Sequence, residues 1–180
     1  MRTRSASGMT LIELLIGFVL VGVLLALGVP SFSAWLQNLQ VRNAAESIFN
    51  GLQLARASAV QRNKSVSFTM AGPDSSWAVT IDSPSISAIE GLESATVQTR
   101  SGTEGTPNAV ITTTSPTIRF DGLGKTNLAA AATVQVTNPT GGACGTGTTN
   151  MRCLNITVAV GGQIKMCDPQ ISVAGDSRKC

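Results

Sequence analysis

Few side chains in this 180-residue chain are placed to do chemistry, and there is no histidine. Without imidazole, the Ser/His/Asp and Cys/His nucleophile systems and His-based metal sites are excluded. Asp121, Asp168 and Asp176 stand singly at turn-like positions, and "GLGK" (122–125) lacks the spacing of a phosphate-binding loop. The reading is therefore not an enzyme, and no cofactor or metal is implied. Three features remain. One is a carboxylate, Glu13, inside an apolar run. Another is a set of four cysteines, Cys144, Cys153, Cys167 and Cys180, all in the last quarter of the chain. The third is a group of cations near the end of the chain: Arg152, Lys165, Arg178 and Lys179.

None of the cysteines forms a C-x-x-C pair, which disfavours zinc. An even number of cysteines behind an N-terminal apolar segment points to an exported, oxidised domain. Order along the chain favours Cys144–Cys153 and Cys167–Cys180, although four cysteines allow three pairings. A bridge at Cys180 would pin a segment that otherwise frays.

Glu13 is the only charged residue between Met9 and Val29. As a helix, such a 21-residue run spans about 31 Å, close to the hydrocarbon thickness of a bilayer. Arg2 and Arg4 precede it, so the N-terminus is expected to stay cytoplasmic and the rest to be exported. A cleaved secretory signal is one reading, with "SFSAW" (31–35) offering small residues before a cut, but Glu13 argues against it. A plain anchor explains the length and leaves the carboxylate as a cost of about 2.5–3.5 kcal/mol. In the third reading Glu13 has a partner. Cleavage after Gly8 makes Met9 a new amino terminus, and between staggered neighbouring helices that amine meets Glu13 of the next chain. Such a pair in an apolar bundle fixes register.

The elements that must carry these groups follow from periodicity. Gly17, Gly22, Gly28 and Pro30 interrupt the apolar run, and a kink is expected at Pro30. From Ser33 to about Asn63 the pattern stays helical, with Trp35, Leu39, Ile48, Leu52, Ala55 and Ala59 on one face and Arg42, Glu46, Arg56 and Arg62 on the other. After Lys64 the pattern changes to short alternating runs at 65–70, 77–82, 95–100, 109–114, 117–121, 133–138, 154–160 and 163–167. Turn residues and Gly-rich breaks separate them. One long helix feeding a sandwich or pair of small sheets makes the class α+β. The expected divisions are a leader (1–8), a membrane or filament-core helix (9–30), an amphipathic helix (31–63) and a β domain (64–180).

"GMTLIELL" (8–15), behind a short basic leader, resembles the prepilin signature of type IV pilins and pseudopilins. "GLQLARASAVQRNKSVSF" (51–68), "IRFDGLGK" (118–125) and "GGQIKMC" (161–167) resemble the GspH/FimT family within that group. The resemblance implies a type IV pilin-like fold, with a long helix capped by a β-sandwich. It implies cleavage between Gly8 and Met9 by the prepilin peptidase, methylation of Met9, and the register role for Glu13. The implied partners are other major and minor pilins, and the implied location is the inner membrane before assembly and a pilus afterwards. A minor pilin at or near a filament tip and a minor pseudopilin of type II secretion share these features. A DNA receptor for natural transformation is the alternative from another class. Some FimT-like pilins carry a Gly-Arg-x-Arg element, and here the matching stretch is Gly162-Gln163-Ile164-Lys165. The change to Gln163 loses one charge, and lysine lacks the bidentate grip of guanidinium. Residues 100–180 carry seven basic and four acidic side chains. A Cys167–Cys180 bridge would bring Arg178 and Lys179 beside Lys165.

Overall fold

The computed structural model describes residues 9–82, 96–145 and 151–180. Gly8, the residue expected before the cleavage point, lies outside them. Among the described residues one α-helix, α1, runs Leu11–Arg62. Eight strands follow among the described residues: β1 (Val66–Met70), β2 (Trp77–Ile81), β3 (Thr96–Arg100), β4 (Val110–Thr113), β5 (Thr117–Phe120), β6 (Ala132–Thr137), β7 (Leu154–Val158) and β8 (Ile164–Cys167). The helical assignment continues through Pro30, so α1 does not end there. Proline removes one helical donor. In long apolar helices that loss is tolerated where neighbouring groups re-satisfy the backbone.

The chain divides into two compact units, Met1–Leu36 and Gln37–Cys180. In the first, the large apolar side chains of α1 from Leu11 to Leu36 are exposed, and the helix is long and apolar enough to cross a membrane. Trp35 belongs here. It is 55% exposed and lies beside Phe32, with ring centroids 5.7 Å apart, so it is not part of the buried stripe that periodicity assigns to it. That stripe begins further on, at Val41.

In the second unit, Val41, Ala44, Ala45, Ile48, Leu52, Ala55 and Ala59 of α1 are fully buried. Most are small, and Gly51 sits among them, so the sheet approaches the helix backbone closely. A Cβ at Gly51 would lie 2.7 Å from Phe68 Cε2 and 3.0 Å from Trp77 Cζ2. Trp77 is held in place by its indole N–H, which donates to Ser47 Oγ at 2.8 Å.

The strands form two antiparallel four-stranded sheets, β3-β2-β1-β5 and β4-β6-β7-β8. Alternation decides which side chains go inward. In β6, Ala132, Val134 and Val136 are buried while Thr133, Gln135 and Thr137 are half-exposed. Phe68, Val79, Ile118 and Phe120 from the first sheet and Val134, Val136, Ile156 and Val158 from the second join the helix stripe in one core. Register then sorts the loops of the first sheet to its two ends. Val66 pairs with Ile81 and Phe120, which puts the 121–125 turn at the end where α1 finishes. Met70 pairs with Trp77 and Trp77 with Arg100, which puts the 71–76 and 101–105 loops at the opposite end.

Candidate functional site

At the N-terminal end of α1, Thr10 precedes the first helical residue. Its Oγ1 accepts from the Glu13 backbone N–H at 3.4 Å, and its carbonyl accepts from Leu14 N at 3.2 Å. The stretch "TLIE" thus has the form of a helix cap in which a threonine satisfies one of the unpaired first-turn donors. The Glu13 carboxylate itself is exposed and has no partner among the described residues. Met9 is likewise exposed. An acid in the first turn is favoured by the helix dipole, but it keeps its charge on a surface otherwise made of Leu, Ile, Val and Phe.

The start of the second unit is tied down by amides that the sequence pattern does not single out. Asn138 is fully buried: its Nδ2 donates to Gln37 Oε1 at 2.7 Å, and its Oδ1 accepts from Gly141 N at 3.2 Å. Asn108 N donates to Gln40 Oε1 at 3.1 Å, and Arg152 N donates to Asn38 Oδ1 at 2.9 Å. The "QNLQ" run (37–40) is therefore a polar collar that fixes the helix to the loops before β4, after β6 and before β7. A polar, non-periodic run ahead of the apolar stripe is the one signal in the sequence that points to it.

The C-terminal cation cluster is built on two disulfides, Cys144–Cys153 and Cys167–Cys180. The second holds the final segment against β8, where Asp168 N donates to the Arg178 carbonyl at 2.7 Å. Lys165 Nζ then donates to the Lys179 carbonyl at 2.8 Å, so these two lysines are neighbours. The arginines are spent differently. Arg152 pairs with the buried Asp168 carboxylate at 2.9 Å, and Arg178 forms two bonds to Asp176, at 3.1 and 2.8 Å. Hydrogen bonds from Arg178 hold the Asp176 carboxyl down to about 2, and the same pair pushes the Arg178 guanidinium up. Asp168 and Asp176, isolated turn acids in the sequence, are thus the counter-charges of the cluster. Asp121 caps its own turn, accepting from Leu123 N and Lys125 N. Gly162, in the stretch compared with the DNA-binding element, has φ +84° and lies against the Gly124 carbonyl, where no Cβ fits. Its place is set by the β7–β8 turn.

Two family descriptions match. The prokaryotic N-terminal methylation motif covers residues 3–29, and the family of type II transport protein GspH covers residues 44–162. The chain belongs to the GspH family. Among solved structures, it is similar to the type IV minor pilin FimU of Pseudomonas aeruginosa in two crystal forms. One match has 15% identity and a TM-score of 0.52, covering 73% of this chain and 99% of that one. The other has 15% identity and a TM-score of 0.51, covering 74% and 95%. No curated protein matches by sequence. At this identity the likeness shows the fold, which is that of a type IV pilin: a long N-terminal helix packed through its second part on antiparallel sheets. In this pilin-type subunit, the methylation motif and apolar helix indicate membrane anchoring before assembly. Membership implies assembly with other pilins and handling by the prepilin peptidase.

Proposed function

We propose that the chain is a minor type IV pilin of FimT/FimU type, cut between Gly8 and Met9, methylated at Met9 and incorporated at or near a pilus tip. The observation that carries this reading is the unpaired Glu13 carboxylate, four residues beyond the new amino terminus, on a helix with nothing else charged until past Val29. A single membrane anchor has no use for that charge. A bundle of staggered copies uses it to fix register against a neighbour's amine. The 9–30 segment then serves first as membrane anchor and later as filament core, and the β domain faces outward.

A second reading is a minor pseudopilin of type II secretion, favoured by the name of the matching family. The DNA-receptor reading draws less support from the C-terminal cluster. Of its four candidates, Arg152 and Arg178 already hold carboxylates, leaving Lys165 and Lys179 for phosphates. Two contacts would give weak, salt-sensitive, sequence-independent binding.

Deleting the gene and scoring surface pili, twitching and protein secretion separates the first two readings. Loss of pili and twitching with secretion intact supports the minor pilin; the reverse pattern supports the pseudopilin.

A further inference from the structure

The exposed apolar surface of α1 ends in a pair of aromatic rings. Phe32 is 59% exposed and Trp35 is 55% exposed, and their ring centroids are 5.7 Å apart. Three positions apart, they share one side of the helix. Ser31 and Ser33 flank Phe32, are exposed, and are the first polar side chains after Glu13. Gln37 then opens the polar collar. Neither ring joins the core of the second unit, whose helix stripe starts at Val41. The other tryptophan, Trp77, is the opposite case: it is buried, and its indole is bonded to Ser47.

The two rings stand at a definite height on the helix. At 1.5 Å per residue, α1 rises about 27 Å from Leu11 to Val29, about 5 Å more to Phe32, and about 9 Å past Val29 to Trp35. The hydrocarbon of a bilayer is about 30 Å thick, and each headgroup layer adds about 5–8 Å. With the apolar run filling the hydrocarbon, Phe32 falls in one headgroup layer and the Trp35 backbone at its outer side. The contact with Phe32 keeps the indole at that level. Tryptophan is enriched there because its ring is apolar while its N–H needs water or a headgroup acceptor.

We propose that Phe32 and Trp35 seat in the lipid headgroup layer on the side away from the leader and set how deep the anchor lies. This role rests on the membrane-anchor reading of the 9–30 segment. A depth-setting group is needed because Glu13 pulls the other way. Four residues beyond Met9, it stands about 6 Å inside the edge of the apolar run. Its charge gains by sliding the helix toward the leader side, into water. The same slide draws Trp35 into hydrocarbon, where its N–H loses its partner. The aromatic end therefore holds Glu13, and the Gly8–Met9 bond just before it, at a fixed depth. Tyrosine at position 35 would keep this preference for the interface, and leucine would not.

The test uses the full-length chain in phosphatidylcholine vesicles whose acyl chains carry bromine, a contact quencher, at shallow or deep positions. Trp77 is buried, so emission quenched by the lipid belongs to Trp35, and Trp35→Phe should remove it. Shallow bromines are expected to quench several-fold more than deep ones. The other end of the anchor is read by a nitroxide on Leu15→Cys, the one free thiol in a chain whose four cysteines are paired. Its accessibility to a water-soluble nickel complex, relative to oxygen, reports depth. In Trp35→Leu the nitroxide should move toward water by up to about one turn, 5.4 Å, with a several-fold rise in nickel accessibility. In Trp35→Tyr it should stay in place. Trp35 emission that no lipid bromine quenches, with the indole in water or covered by another copy, overturns the proposal. So does quenching that is strongest from deep bromines, a nitroxide depth unchanged in Trp35→Leu, or an equal shift in Trp35→Tyr. Flotation with the vesicles is scored separately. A chain that floats and fails these tests keeps its anchor and loses the aromatic role. A chain that does not float loses the anchor reading as well.

Discussion

Gly51→Ala sets two physical effects against each other, and the packing around it decides which wins. Gly51 lies inside α1, where replacing glycine by alanine ordinarily gains about 0.5–1 kcal/mol. Here the new methyl would lie 2.7 Å from Phe68 Cε2 and about 3 Å from two carbons of the Trp77 indole. Neither ring yields easily. Phe68 is fully buried, Trp77 is 4% exposed, and the indole is tethered to Ser47. Overpacking of this kind costs about 1–3 kcal/mol, so the net change is a loss of about 1 kcal/mol, or about 3 °C in Tm for a unit of this size. Thermal unfolding followed by Trp77 fluorescence in a Trp35→Phe background reads it. Pairing the change with Phe68→Leu removes the nearest ring edge, and the double variant should be less destabilised than the sum of the singles by about 1 kcal/mol. A higher Tm for Gly51→Ala, or strict additivity, would refute the close helix–sheet approach.

Cys167→Ser should lower stability by about 3 kcal/mol, given a 13-residue separation to Cys180, and should make the tail after Asp168 the first site of proteolysis; an unchanged Tm under oxidising conditions counts against it. Asp176 titrates at about 2, below its unfolded value near 4. The contribution of its pair with Arg178 is therefore present above pH about 4 and lost as pH falls through about 2. In Arg178→Ala the Asp176 carboxyl should titrate in the ordinary range by NMR; titration still near 2 would place the cause elsewhere. Glu13→Val should insert in the membrane normally and be depleted from sheared filaments, and normal incorporation would remove the register argument.

Much of the fold is legible because two periods dominate this sequence. Alternation bounded by glycine and turn residues locates all eight strands to within one or two residues, down to "TIRFD" and "QIKMC". The α+β class follows from a helical period that ends at Asn63. Strand order is not legible: β5 lies beside β1 and not beside β4, and alternation carries no information about which neighbour a strand takes. Periodicity starts the helix stripe too early because Trp35 fits the spacing, yet the sheets cover the helix only from Val41. In the C-terminal cluster the cations are visible in composition and their neutralisation is not. Asp168 meets Arg152 across 16 positions because β7 and β8 pair antiparallel with Asn155 opposite Cys167, a pairing that alternation does not reveal. Asn138 looks like a loop residue, and its burial against Gln37 spans 101 positions.

Processing as a prepilin and assembly into a filament underlie every other role proposed for this chain. The most direct test is mass spectrometry of the chain recovered from sheared pili of the native host. The expected species is a polypeptide beginning at Met9, carrying one methyl group on its amino terminus, with all four cysteines oxidised. A chain absent from the filaments, still carrying residues 1–8, or cut near Trp35 instead would contradict it.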